Sequence, residues 1–377
     1  MTATTRVAIA GGGVAATALA IQLAREGIEV DMFDKADCVS ALGSGITLQG
    51  NALRAFVHLG VWDQIKDAGY AFNGLTLRAP GPGAAIVADM PEIAMGGPDL
   101  PAGMGMYRPD LARILTDAAV AAGARLHHHA EVTGCTTGDS EVEVEVNGES
   151  VGTYGLLVGA DGLHSKVRES IGIEVQPERT GMGIWRAFVP RPAEVTHTEL
   201  YYGGPMYIAG YTPTGEDTMY AFLVEDAADH VDVTDEQAVE IMRGQSMAYD
   251  GPWNHIREHL STASHVNYTW FTSHIIPGRW NRGRAVCVGD AAHSCPPTIA
   301  QGAAQALEDT EVLGELILKR DTIDQDFWDE FHDRRVDRAT MVVESSTLLG
   351  SWLLEGRRDA DVPGLVASVA QTVSVPA

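Results

Sequence analysis

The chain has 377 residues, 45% hydrophobic and 20% charged, enough to bury a large core and too apolar for a disordered tail. Lys plus Arg total 26 against 51 Asp plus Glu, a formal charge of −25 that repels phosphate backbones and anionic bilayers, so neither nucleic acid nor membrane is expected as a partner. Four widely spaced cysteines without a C-x-x-C pair exclude a disulfide scaffold or a zinc finger; with no leader-like start and no long apolar run, a cytoplasmic setting is expected.

In chain order, Arg6–Ala10 is an apolar strand, Gly11–Gly13 a turn, Val14 to Glu26 a helix, and Glu29–Asp34 a second strand ending on an acid, which together make one βαβ unit. Leu156–Gly159 and Ala285–Val288 are short apolar runs that pass into Gly-Ala-Asp and Gly-Asp, as buried parallel strands do when their C-terminal ends carry polar loops. Between about 180 and 275 the texture changes to β-branched and aromatic runs, Gly183–Val189, Glu199–Tyr202, Met206–Tyr211 and Thr218–Val224, which predict an antiparallel sheet. Thr298 to Lys319 reads as a helix, and a longer helical tail follows from about Asp324 to Gly356, with Asp324 to Asp337 as a solvated charged face.

The turn Gly11-Gly-Gly13-Val14-Ala15-Ala16 matches G-x-G-x-x-[GA], and Asp34 follows at roughly the 20-residue distance of a ribose-binding acid. Its glycines permit a tight turn and close approach of a pyrophosphate, whose charge the free N–H groups of the helix start then hold. Gly11, Gly13, Val14, Ala15, Asp34 and Lys35 are therefore candidate dinucleotide contacts.

Two further stretches, Val158-Gly-Ala-Asp161-Gly162 through Arg168 and Gly289-Asp290-Ala-Ala-His293 through Ala300-Gln-Gly302 and Asp309, resemble the DG and GD fingerprints of the class A flavoprotein monooxygenases, the single-component aromatic hydroxylases. Arg108-Pro-Asp-Leu111-Ala-Arg-Ile-Leu115 is similar to the same family's Arg-x-x-Leu-x-x-x-Leu segment. The pattern looks nearest to bacterial hydroxylases of pyridine and phenol carboxylates. The resemblance implies non-covalent FAD, held further by Gly45, Arg108, Val132, Asp161, Asp290, Gly302 and Ala303. It also implies NAD(P)H as cosubstrate and O2 adding at the flavin C4a, with the hydroperoxide hydroxylating a small phenolic or N-heteroaromatic ring. The alternatives are a tailoring oxygenase or reductase for a larger scaffold, and a non-catalytic FAD-binding sensor.

For fold, the expectation is α/β: a Rossmann-type FAD-binding domain (1–72, 100–178, 276–340), an inserted, mainly antiparallel substrate sheet (73–99, 179–275) and a helical tail (341–377), as monomer or homodimer. Thr47, Tyr211 and Tyr220 are the candidate catalytic side chains. Arg186, Tyr202, Pro296 and Pro297 join them as candidate substrate contacts, the aromatics to flank a planar ring. His293 reads as a packed, hydrogen-bonded residue. His127-His-His129 reads as surface without an acidic partner, so no metal is expected. Ala41 stands where many relatives carry a loop arginine, which removes a cation from beside the mobile flavin.

Overall fold

The computed structural model describes residues 2–37, 45–230 and 232–377; the loop containing Ala41 lies outside them. A six-stranded sheet runs in the order Asn281–Arg282, Ala285–Cys287, Leu156–Gly159, Arg6–Ala10, Glu29–Phe33, Arg125–His127. Every pair is parallel except the first. The central strands, Val7–Ala10 and Leu156–Val158, are buried along their whole length, which is why they read as unbroken apolar runs rather than alternating ones.

Helices Val14–Arg25 and Gly302–Lys319 pack together beside this sheet. Small residues make the approach possible: a Cβ on Gly314 would sit 1.8 Å from Gln22 Oε1, and one on Gly289 would sit 3.1 Å from Ala306 and 3.4 Å from Ala15. The second of these helices begins at Gly302, four residues later than expected. Pro297–Ile299 forms a 3-10 turn, and Ala300 at φ +53° breaks the helical path between the two.

An eight-stranded sheet runs in the order His293–Ser294, Asn267–Ile275, Glu178–Pro190, Thr218–Asp226, Ile208–Pro213, Thr198–Tyr202, Gly74–Arg78, Ile86–Pro91. Only the pairing of Thr198–Tyr202 with Gly74–Arg78 is parallel. Its two faces follow the period of two along each strand. Trp185, Ala187, Tyr201, Tyr211 and Leu223 form one buried cluster with Val239, Met242, Trp253 and Ile256, from the helices Asp235–Gln245 and Pro252–His259 that cover this face. Burial of each large side chain here contributes on the order of 2–3 kcal/mol. Ile184, Phe222, Val224 and Phe271 occupy the other face, against Leu353 and Leu354.

That second face also meets a three-stranded sheet, Gly45–Gln49, Gly103–Tyr107 and Tyr70–Phe72. Glycine is required at the seam: a Cβ on Gly105 would lie 1.9 Å from the Pro213 carbonyl oxygen, and one on Gly45 would lie 2.2 Å from the Tyr220 ring.

Helix Gln325–Leu354 is continuous across 340 and 341, so the expected seam between the third segment and the tail falls inside a helix. Its charged face is not simply solvated either, because Arg335 is wholly buried. The final helix, Val362–Ser374, is tied down at its carbonyl end, where Arg338 donates to the Thr372 and Val375 carbonyls and Arg54 to those of Val373 and Ser374. No helix among the described residues is long and apolar enough to cross a membrane.

Candidate active site

The glycine turn, the acid after the second strand and the Asp161 loop surround one cavity of about 230 Å³, lined by Gly11, Gly12, Gly13, Asp34, Lys35, Val132, Asp161 and Gly162 among others. Gly11 sits at φ +104°, and a Cβ there would lie 2.4 Å from the Ala160 carbonyl oxygen; the turn closes on the strand only because that atom is missing. Gly13 faces open space where a side chain would be, at the N-terminus of Val14–Arg25, so a phosphate can reach the unpaired N–H groups. Asp34 Oδ1 accepts from Ala36 N at 2.7 Å, which fixes the carboxylate over Gly12. Lys35 is exposed, 3.9 Å from Glu131.

Asp161 serves the next helix: Oδ1 accepts from Ser165 Oγ at 2.6 Å and Oδ2 from the backbone N–H groups of Lys166 and Val167. Each carboxylate oxygen thus already holds at least one donor of the chain. Burial raises its pKa, against the pull of these donors.

On the far side, Asp290 makes no hydrogen bond to the described residues and is exposed. Desolvation by its surroundings raises its pKa, against the pull of His293 and Arg108. Arg108 opens helix Arg108–Ala122, is exposed, and has no ion-pair partner among the described residues. Gly302, like Gly13, has open space at its Cβ position, so the N-terminus of Gly302–Lys319 is accessible, while Ala303 packs partly against the core. Pro296 is buried and Pro297 exposed in the turn before it.

Behind this turn lies a buried polar network that the sequence did not announce. Arg335 donates to Asp309 Oδ1 and Glu308 Oε2, both at 2.8 Å, and to Gln305. Asp309 Oδ2 accepts from Gly289 N at 2.8 Å and lies 2.7 Å from His293 Nε2. Desolvation would raise the pKa of both carboxyls, but Arg335, Arg338 and His293 outweigh it and hold them below their ordinary values. Asn51 and Gln301 exchange side-chain hydrogen bonds at 3.0 and 3.2 Å, and Asn51 also donates to Glu308, which pins the residue before Gly302. The available signal was two adjacent acids on the buried face of an otherwise apolar helix, which call for a cation somewhere in the fold.

His127 also departs from expectation. Its Nε2 lies 2.9 Å from Asp31, which Arg125 and Tyr154 also contact, and its ring stacks on Phe33, so it has the acidic partner it was read to lack. The described residues contain no group of three metal-ligating side chains.

At the seam between the two sheets, Thr47 Oγ1 and Tyr220 OH lie 3.1 Å apart. Arg186 and Tyr220 share a face, because Arg186 pairs with Phe222 and Phe188 with Tyr220 across neighbouring strands. Arg186 donates to Thr269 Oγ1 at 2.6 Å and has no carboxylate partner among the described residues. Desolvation and the nearby Arg108 bring its pKa down to about 10, against the pull of Tyr220, so it stays a cation at neutral pH. Phe188 packs on Tyr107 and Phe222 on Tyr220, supplying aromatic surface the sequence reading had partly missed. Tyr202 lies at the outer end of this face and is 37% exposed.

Tyr211 is not part of this cluster. It pairs with Glu199 and Ala221, in the alternation that points to the covered face. There its hydroxyl donates to Glu199 Oε2, which also holds Arg78, beneath Trp253. A shift of one residue in strand parity exchanges the two faces, and only the pairing register settles it.

The family described as "FAD binding domain" matches residues 4–346. The chain is 30% identical to an aurachin C monooxygenase/isomerase of Stigmatella aurantiaca, over 82% of this chain and 80% of that one. It is 28% identical to a 3-amino-4-hydroxybenzoate 2-monooxygenase of Streptomyces cremeus, over 89% and 84%. Among solved structures, 2-methyl-3-hydroxypyridine-5-carboxylic acid oxygenase in its tetrameric form superposes with a TM-score of 0.81 at 25% identity, covering 97% of this chain and 96% of that one. Klebsiella pneumoniae HpxO complexed with FAD and uric acid shares the fold at 20% identity, with a TM-score of 0.83 over 99% and 97%.

Proposed function

Because the chain belongs to the FAD binding domain family and is an FAD-dependent monooxygenase of the aromatic-hydroxylase type, we propose that it uses NAD(P)H and O2 to hydroxylate a small phenolic or N-heteroaromatic compound. The substrate would lie at the seam between the three-stranded and eight-stranded sheets. The observation that carries this reading is Arg186, a cation with no carboxylate partner among the described residues, on one face with Tyr220, whose hydroxyl meets Thr47.

The residues present fit FAD. Gly13 and Gly302 leave room where a side chain would intrude, and Asp290 and Arg108 have no partner within the described chain. In this reading the turn Gly11–Val14 and Ala15 take the pyrophosphate, Asp34 and Lys35 the adenosine ribose side, and Val132 a backbone contact to the adenine. Arg108 and Asp290 take the ribityl region, while Gly302 and Ala303 present the helix N-terminus to the flavin N1–C2=O edge, where its dipole stabilises negative charge. Asp161 orders its loop through the three bonds it accepts and keeps acceptor capacity to face the FAD near its pyrophosphate. Bound FAD supplies the electron transfer and the activation of O2.

The chain's own part is to bind and orient the ring. Arg186 favours the ionised form of a bound phenol, because an adjacent cation lowers the pKa of an acid; that makes the ring electron-rich. Tyr220 and Thr47 fix the hydroxyl by hydrogen bonds, and Phe188 and Phe222 flank the ring and exclude water. Pro296 and Pro297, which lack N–H groups, shape the wall next to the flavin, and Tyr202 stands at the open end. The widely spaced cysteines fit a cytoplasmic setting, and a monomer or homodimer is the assembly proposed.

The test is NAD(P)H oxidation in air by the FAD-loaded protein across a panel of phenols, hydroxypyridines and larger quinoline-type compounds. Stimulation by small phenols or hydroxypyridines is expected. Arg186→Met should raise KM for an ionisable phenol by about tenfold or more, the loss of one charge-assisted hydrogen bond, with FAD content unchanged. Stimulation by the large compounds alone would move the assignment to a tailoring oxygenase for a larger scaffold. No stimulation by any aromatic would overturn both.

A further inference from the structure

The last helix, Val362–Ser374, docks on little apolar surface. Its buried residues are Val369, Ala370 and Val373, which pack with Met95 and Val342, while Val366 is left 39% exposed. That is too small an apolar face to hold a helix by itself, so its docking depends on the arginines at its carbonyl end. Arg54 there donates to backbone alone, the Met95, Val373 and Ser374 carbonyls. Arg338 does more. Its Nη1 donates to Thr372 O at 2.8 Å and its Nη2 to Val375 O at 2.7 Å, while Nε and Nη2 of the same fork donate to Glu308 Oε2 at 2.7 Å and Oε1 at 3.0 Å. One guanidinium thus joins the end of the last helix to a carboxylate that is 1% exposed.

Glu308 carries the constraint onward. Its Oε1 also accepts from Asn51 Nδ2 at 2.9 Å and its Oε2 from Arg335, so both oxygens are filled. Asn51 in turn holds the side chain of Gln301, which is 1% exposed and is the N-cap residue of Gly302–Lys319, a helix with no side-chain cap. A second, apolar route runs in parallel, because Ile299, in the turn before Gln301, packs against the same cluster as Val369 and Val373. Buried polar networks hold their geometry when every member is satisfied and loosen together when one is lost. The last helix therefore reaches the start of Gly302–Lys319 by two paths without lying beside it in the chain.

We propose that Arg338 is a positioning residue for the flavin: it makes docking of the last helix and placement of the Gly302 N-terminus one linked event. This rests on the reading that puts the flavin N1–C2=O edge at that N-terminus. The helix dipole there favours the negative charge gained on reduction, so the docked helix favours reduced FAD. Linkage is reciprocal, so reduced FAD in turn favours the docked helix.

The test compares FAD-loaded protein oxidised and reduced with dithionite under anaerobic conditions. Hydrogen exchange of residues 362–377 should be about tenfold slower in the reduced wild type, an ordinary size for coupled sites. Read from the other side, Arg338→Ala should lower the reduction potential of bound FAD by about 30 mV, which is tenfold for a two-electron couple. Arg338→Lys keeps the charge without the fork and should show most of that shift. In Arg338→Ala combined with Gln301→Leu the two shifts should fall short of their sum, because both act on one chain of contacts. Equal exchange in the two redox states of the wild type, full recovery of the potential by Arg338→Lys, or additive shifts in the double variant overturns the inference and leaves the monooxygenase reading standing. A lower unfolding midpoint in Arg338→Ala with the potential unchanged overturns it likewise, as the mark of a merely structural residue. Failure of the wild type to bind FAD removes both.

Discussion

Replacing Arg335 by Ala is expected to lower the unfolding free energy by about 3–5 kcal/mol, the usual consequence of stripping one partner from a buried ion pair, and to release FAD. Arg335 and Asp309 are wholly buried and Glu308 is nearly so. Without the guanidinium, Asp309 keeps only His293 and the Gly289 N–H for its charge. Gly289 sits at φ +57° immediately before Asp290, so loosening Asp309 loosens the turn that presents Asp290. Arg335→Lys should recover only part of the loss, because one ammonium cannot reproduce the fork that reaches Asp309, Glu308 and Gln305 together. The network also sets a pH dependence. The folded pKa values of Glu308 and Asp309 lie below their ordinary values of 4.5 and 3.8. Their contribution is therefore complete above those ordinary values and is lost as pH falls through the depressed folded ones. Urea unfolding of wild type and Arg335→Ala at pH 7 and pH 3 measures this: the gap should be wide at pH 7 and smaller at pH 3. A difference under about 1 kcal/mol at pH 7, the range of an exposed pair, would contradict the role given to this network.

Gly11→Ala is expected to weaken FAD binding by about tenfold to a hundredfold. An alanine at φ +104° carries strain of about 1–2 kcal/mol, and its Cβ would lie 2.4 Å from the Ala160 carbonyl oxygen. Neither neighbour is a flexible side chain, so the turn or the end of Leu156–Gly159 must move, and with it the N–H groups that face the phosphates. Each 1.4 kcal/mol is a factor of ten in affinity. Gly27→Ala is the control: Gly27 has φ +80° with open space around it, at the opposite end of the same helix. That variant should lose stability and keep its FAD. Equilibrium titration of apoprotein with FAD measures both, and unchanged affinity in Gly11→Ala would remove the dinucleotide from this turn.

The parallel sheet was legible because its strands carry their evidence locally. Arg6–Ala10 and Leu156–Gly159 are apolar runs that pass into glycines, Glu29–Phe33 alternates and ends on the acid Asp34, and their partners follow from the βαβ rule. The glycine turn and Asp34 were legible for the same reason, since spacing along the chain fixes their geometry. The aromatic sheet was legible as strands but not as faces. Tyr211 and Tyr220 look alike in sequence, yet the pairing of Tyr211 with Glu199 and Ala221 sends it under two helices, while Tyr220 reaches Thr47. Parity depends on register, and register is a non-local property. Arg335 was illegible for a related reason. Its partners stand 26 and 27 positions earlier, and its own helix has charges enough to pass as solvated.

The most direct measurement of the central claim is the source of the oxygen in the product. FAD-loaded protein is given NADH or NADPH, an aromatic that stimulates oxidation, and isotopically heavy O2, and the product is weighed. One labelled oxygen is expected, a gain of about 18 Da over the substrate, with NAD(P)H consumed. A product that gains no label while NAD(P)H is consumed would contradict it.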